Sequence, residues 1–116
     1  MSNTVQIFHN PRCSKSREAL NLLQEQNVSV EVIEYLNGDL KKSTLESVLK
    51  KMKISAFDLL RKGEDDYKNF IKGKDLSENE VVNLMIQYPK LIERPIVISG
   101  NKAVIGRPPS LVLDLI

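Results

Sequence analysis

The chain has 116 residues, 41% hydrophobic and 28% charged, and its 17 basic and 15 acidic residues give a formal net charge of +2. That length accommodates one domain, residues 1–116, with a core that needs no disulfide staples, and so small and dispersed a charge argues against a nucleic-acid surface. One cysteine excludes an internal disulfide, no apolar run approaches the roughly 20 residues of a membrane span, and Met1-Ser2-Asn3-Thr4 lacks the layout of a signal peptide, so a reduced cytoplasmic setting without membrane partners is expected.

In chain order, Val5-Gln6-Ile7-Phe8 reads as a short buried strand. Residues 14–26 read as a helix with Ala19, Leu20, Leu22 and Leu23 on its apolar side. Residues 28–35 alternate Val30 and Val32 with polar Glu31, a second strand. Asn37-Gly38-Asp39 is a turn signal. Ser43 or Thr44 is the expected cap of a helix presenting Leu45, Val48, Leu49 and Met52, and Ser55 of a shorter one ending near Gly63. Residues 64–74 are highly charged and carry no clear period. Ser77-Glu78-Asn79-Glu80 reads as a capped helix start, leading to Val81, Leu84, Met85 and Tyr88, with Pro89 past the end. Ile96-Val97-Ile98 and Ala103-Val104-Ile105 flank Gly100-Asn101 as a hairpin, and Pro108-Pro109-Ser110 opens a terminal helix over 111–116. This β-α-β … β-β-α order predicts an α/β, thioredoxin-like fold. Its four-stranded mixed sheet carries an inserted helical segment at about residues 43–88.

The lone cysteine, Cys13, falls where the first strand gives way to the first helix, within His9-Asn10-Pro11-Arg12-Cys13-Ser14-Lys15-Ser16-Arg17. Unpaired helix N–H groups, the positive dipole end and the basic neighbours all favour a thiolate there. Cys13 is therefore the candidate nucleophile, against the plainer reading of a small buried hydrophobe. Cys13-Ser14-Lys15-Ser16 is a Cys-x-x-Ser version of the thioredoxin-type motif. Ser16 cannot resolve a disulfide, so an outside thiol such as glutathione or a glutaredoxin must clear any adduct on Cys13. Arg94-Pro95 precedes the third strand, where thioredoxin-like folds hold a cis-proline beside the active cysteine, although Pro95 is equally permitted as a plain strand start. Arg94 and Arg107 would lie at sheet ends near Cys13, and guanidiniums around a thiolate make a site for a tetrahedral oxyanion. Taken singly, Arg61, Arg94 and Arg107 read as solvated surface residues. His9, the only histidine, either tunes the thiolate or is simply packed. Six residues after Cys13 stands Ala19, which rules out a tyrosine-phosphatase-type Cys-x5-Arg loop, and one His with one Cys is too few for a metal site.

Together, His9-x-x-x-Cys13-x-x-x-Arg17, Leu60-Arg61-Lys62, Glu93-Arg94-Pro95-Ile96-Val97 and Arg107-Pro108 resemble the glutaredoxin-dependent arsenate reductase (ArsC) family. The segments His9–Arg17 and Ile105-Gly106-Arg107-Pro108-Pro109 look most like its short, YfgD-type members. The resemblance implies Cys13 as nucleophile and Arg61, Arg94 and Arg107 as holders of arsenate or a similar oxyanion, with His9, Ser16, Arg17 and Pro95 in support. It also implies glutathione as co-substrate, glutaredoxin as partner and no tightly bound cofactor. The loop Pro11-Arg12-Cys13-Ser14-Lys15 is more basic than in the plasmid-type reductases. Two alternatives share the fold: a monothiol glutaredoxin-like oxidoreductase, and an Spx-like regulator binding RNA polymerase. The regulators usually carry Cys-x-x-Cys, which Ser16 replaces here.

Overall fold

In the computed structural model, residues 4–38 and 40–115 are described. Met1-Ser2-Asn3, the Asp39 end of the predicted turn and Ile116 at the end of the predicted terminal helix lie outside them. The chain forms two compact units, one from Met1–Asp39 with Arg94–Ile116 and the other from Leu40–Glu93.

The first unit is built on a four-stranded sheet of order β2-β1-β3-β4. Strand β1 (Val5–Phe8) runs parallel to β2 (Val30–Ile33) and antiparallel to β3 (Ile96–Ser99), which pairs antiparallel with β4 (Lys102–Ile105). This is the mixed sheet of the thioredoxin-like fold. A parallel neighbour demands a crossover, and helix α1 (Ser14–Gln24) supplies it. One face of the sheet gathers Val5, Ile7 and Val97 against Ala19 and Leu23 of α1 and Val112 of the C-terminal segment. On the alternate positions Phe8 packs its ring 6.2 Å from that of Tyr35.

Several boundaries differ from the expectation. Helix α1 stops at Gln24 because the chain tightens, with Gln26 N–H bonded to the Leu23 carbonyl, and Asn27 takes a left-handed φ of 58°. Strand β2 is limited to the four residues that β1 can pair, and Tyr35 instead turns inward in a 3-10 turn, Tyr35–Asn37. The C-terminal segment is a 3-10 helix, Pro109–Leu115, starting before the expected Leu111.

The second unit holds α2 (Lys42–Met52), α3 (Asp65–Phe70) and α4 (Glu78–Gln87). Leu45, Val48 and Leu49 are the buried face of α2, as their spacing predicts, with Met52 half-buried. The helix begins earlier than either proposed cap: Lys41 is its N-cap, and Ser43 and Thr44 fall inside. Ser55 does bind Asp58 through both its N–H and its hydroxyl, at 3.2 Å each. It opens only the 3-10 turn Ala56–Leu59, because Leu60 is drawn out to bridge Ile92 and cannot continue a helix to Gly63. The charged stretch 64–74 contains α3, with Asp65 and Asp66 at its positive end and Phe70 stacked on Tyr88 at 4.4 Å. Helix α4 starts at the predicted capping box, Ser77 and Glu80 each binding the other's backbone N–H at 3.0–3.2 Å. It buries Val82 as well as Val81 and Met85. Among the described residues no helix is long and apolar enough to cross a membrane.

Candidate active site

The site lies in the first unit, where β1 ends. His9 extends the parallel pairing, its N–H reaching the Ile33 carbonyl at 2.9 Å. The chain then turns tightly. Asn10 organises this turn twice, its carbonyl accepting the Cys13 N–H and its Oδ1 the Arg12 N–H, both at 3.0 Å. An Asn side chain folding back two residues is an established turn device, a role for Asn10 that the sequence reading did not assign. The turn delivers Cys13 to the N-cap position of α1 in extended backbone conformation, φ −94°, ψ 123°.

Three residues, Ser16, Lys15 and Arg94, set the acidity of the sulfur against its burial. Partial burial raises the Cys13 pKa and is the largest single influence. It is outweighed by the Ser16 N–H, the charge of Arg94, the Lys15 N–H and a hydrogen bond from the Arg94 side chain, so the thiol ends below its ordinary value. The helix-end amides expected from the sequence are present, but the cation that acts on the sulfur is the distant Arg94 and not the basic residues Arg12, Lys15 and Arg17 of the same turn. Arg107 also reaches the sulfur, Nη2 lying 3.9 Å from Sγ. Its Nε donates to the Arg94 carbonyl at 2.7 Å, which fixes the guanidinium while leaving its outer nitrogens toward Cys13.

The two arginines are brought together by backbone. The Gly106 N–H bonds the Pro95 carbonyl at 2.8 Å, extending the β3–β4 ladder by one step. Arg94-Pro95 is cis, as its place before β3 suggested, and Arg107-Pro108 is cis as well, which the sequence reading missed. Gly106 sits in close quarters: a Cβ there would stand 3.0 Å from Pro95 Cγ and 3.1 Å from Val112 Cγ1, so both side chains would have to give by a few tenths of an ångström.

Behind the sulfur, Ser16 is fully buried and His9 is 7% exposed. Ser16 Oγ lies 2.6 Å from His9 Nδ1 and accepts the Asn10 N–H at 3.0 Å. Burial pushes the His9 pKa down, Glu34 raises it and Arg17 lowers it, with a net depression. A neutral imidazole suits this contact: the Ser16 hydroxyl donates to Nδ1 while its oxygen accepts from Asn10. His9 thus belongs to a hydrogen-bond network, and an imidazolium acting on the thiolate is disfavoured. Arg17 is exposed and staples the turn, Nη1 donating to the Pro11 carbonyl at 2.8 Å. Arg61 belongs to the second unit, where it pairs with Glu64 at 2.8 Å. That unit also has a groove of about 880 Å³ between α2 and α4, lined by Glu46, Lys50, Lys53 and Glu78 among others, which contains none of the candidate site residues.

A model of the ArsC family matches residues 8–115. The uncharacterized protein YfgD of Escherichia coli (strain K12) is 48% identical over 118 residues, covering 100% of this chain and 99% of its own. An arsenate reductase of Haemophilus influenzae is 40% identical over 115 residues, covering 97% and 99%. Among solved structures, the arsenate reductase from Vibrio cholerae matches with a TM-score of 0.93 at 37% identity, over 100% of both chains. Through residues 8–115, which take in Cys13, Arg94 and Arg107, the chain belongs to the ArsC family.

Proposed function

We propose that the protein is an arsenate reductase that works through Cys13 and takes its electrons from outside thiols, glutathione and glutaredoxin, in the cytoplasm. The observation that carries this reading is the meeting of Arg94 and Arg107 at the Cys13 sulfur. A thiolate repels an approaching dianion, and two fixed guanidiniums offset that repulsion while offering hydrogen bonds matched to tetrahedral oxygens. In the proposed reaction Sγ bonds to arsenic and one arsenic oxygen leaves as water after protonation, the arsenic remaining pentavalent. An outside thiol then attacks the adduct. Two electrons pass from thiols to arsenic, arsenite leaves, and the thiols end as a disulfide. Soluble thiols supply both electrons, so no tightly bound cofactor enters the scheme.

In this reading Arg94 and Arg107 hold the oxyanion, and Arg61 joins them on the strength of the family resemblance. Ser16, His9 and Arg17 keep the turn that aims the helix-end amides at the sulfur, and Pro95 carries the backbone that sets Arg94. The test is steady-state arsenate reduction with glutathione and glutaredoxin, with Cys13→Ser as control. Turnover that disappears in Cys13→Ser is expected. Wild-type protein that turns over a glutathione mixed disulfide but not arsenate refutes the reading in favour of a monothiol oxidoreductase.

A further inference from the structure

The cations around Cys13 divide into two kinds. Arg94, Arg107 and Arg17 are anchored, to the sulfur, to the Arg94 carbonyl and to the Pro11 carbonyl respectively. Arg12 and Lys15 are not. Their side chains are exposed, and neither makes a hydrogen bond or ion pair with another described residue. They stand one residue before and two residues after the nucleophile, so two flexible positive side chains bracket it.

Anchored guanidiniums suit an ion that must sit in one place. Free ones suit a partner met in passing, whose approach they bias through their field. The reaction supplies such a partner. Once an oxyanion is joined to Cys13, the adduct carries about two negative charges, and the outside thiol must attack it as a thiolate. Arg12 and Lys15 leave the turn positive at that stage, after Arg94 and Arg107 are engaged. Carboxylates on the incoming thiol would give these two side chains charge-assisted partners. Both side chains start within two residues of Cys13, so their reach matches a small molecule.

We propose that Arg12 and Lys15 dock the carboxylates of the small thiol that reacts at Cys13, and so select an anionic thiol over a neutral or cationic one. This rests on Cys13 being the reacting thiol of the proposed reductase.

Thiol–disulfide exchange tests it without arsenate. The Cys13 thiolate attacks a symmetrical disulfide, a Cys13–S–S–R bond forms, the R–S–S–R bond breaks and R–S⁻ leaves. Cys13 is oxidised to the mixed disulfide and the departing half is reduced. Second-order rates would be measured at neutral pH and low salt with 3,3′-dithiodipropionate, bis(2-hydroxyethyl) disulfide and cystamine. The ratio of the dicarboxylate rate to the neutral rate cancels the thiolate fraction. We expect Arg12→Gln/Lys15→Gln to lower this ratio about tenfold and Arg12→Glu/Lys15→Glu to turn the preference toward cystamine. Added salt should erase the wild-type preference. Lys102→Gln, on the exposed end of β4, should leave the ratio unchanged.

A wild-type ratio in the double variant overturns the proposal, as does an equal loss in Lys102→Gln. Arsenate reduction measured on the same samples keeps the two readings apart. Wild-type protein that shows the charge selection but no arsenate turnover overturns the reductase and leaves the docking. Arsenate turnover with an unchanged ratio in the variants overturns the docking alone.

Discussion

Arg107→Ala separates binding of the oxyanion from activation of the thiol. The guanidinium Nη2 is 3.9 Å from Sγ, yet Arg107 is exposed, so its charge acts through a high dielectric. At about 4 Å, unit charges interact by about 1 kcal/mol in water and about 4 kcal/mol at an effective dielectric of 20. Exposure places this pair near the lower figure, which amounts to less than about one pKa unit. The influences that set the thiol agree, since the cation among them is Arg94. Removing Arg107 should therefore slow alkylation of Cys13 by a neutral reagent such as iodoacetamide by less than about fivefold at neutral pH. Hydrogen bonds to a charged ligand are worth about 1.5–3 kcal/mol each, so loss of the fork should lower kcat/KM for arsenate by about 10- to 150-fold or more. Arg107→Lys should recover part of that, keeping the charge while losing the bidentate geometry and the Nε contact to the Arg94 carbonyl. Parallel alkylation and arsenate-reduction assays on the two variants measure the split. An equal loss in both assays would show that Arg107 acts on the sulfur and not on the oxyanion, and the reasoning would fail.

Three further outcomes follow from the same geometry. Ser16→Ala leaves His9 Nδ1 and the Asn10 N–H without their shared buried partner. It should cost about 1–3 kcal/mol in denaturant unfolding and shift the alkylation pH profile of Cys13 upward, so an unchanged profile would detach this network from the thiolate. For His9, a folded pKa below the ordinary 6.5 means the unfolded chain binds more protons between the two values. The stability it contributes is complete above about 6.5 and is lost as pH falls through that window, which thermal unfolding against pH should show in wild type and not in His9→Gln. Gly106→Ala places a methyl 3.0 Å from Pro95 Cγ and 3.1 Å from Val112 Cγ1. It should destabilise by about 1–3 kcal/mol and lower arsenate reduction more than iodoacetamide alkylation, because Arg107 is carried by the displaced backbone.

Local signals were legible where the chain settles a question among near neighbours. Ser77 and Glu80 are three residues apart and satisfy each other's N–H groups, so α4 could be started from sequence. Val5–Phe8 reads as a strand because nearly every residue in it is buried. Gly100, at φ 58°, turns the hairpin its flanking runs require. Distant partners decided what could not be read. The Leu60 bridge to Ile92 overrode helical spacing after Ser55, and the length of β1 trimmed β2. In the site, Cys13 and its basic neighbours were visible because they are contiguous, and Arg94 and Arg107 were pointed to by their expected place at sheet ends in the predicted fold and by the family resemblance. The contact between His9 and Ser16 spans a strand end and the first turn of a helix, which no period reveals. The clamp between Gly106 and Pro95 depends on a β-ladder that forms only once β3 and β4 pair.

The buried serine bears on how this protein can change. Position 16 has no exposure, and its hydroxyl sits 2.6 Å from an imidazole nitrogen. A one-atom exchange of oxygen for sulfur there would install a second thiol three residues from the first. It would also replace a strong donor by a weak one and press a larger atom against a packed wall. The single-thiol design is thus held in place from behind the helix. A lineage moving toward two thiols would first have to find His9 another companion, or put its second sulfur somewhere else in the chain.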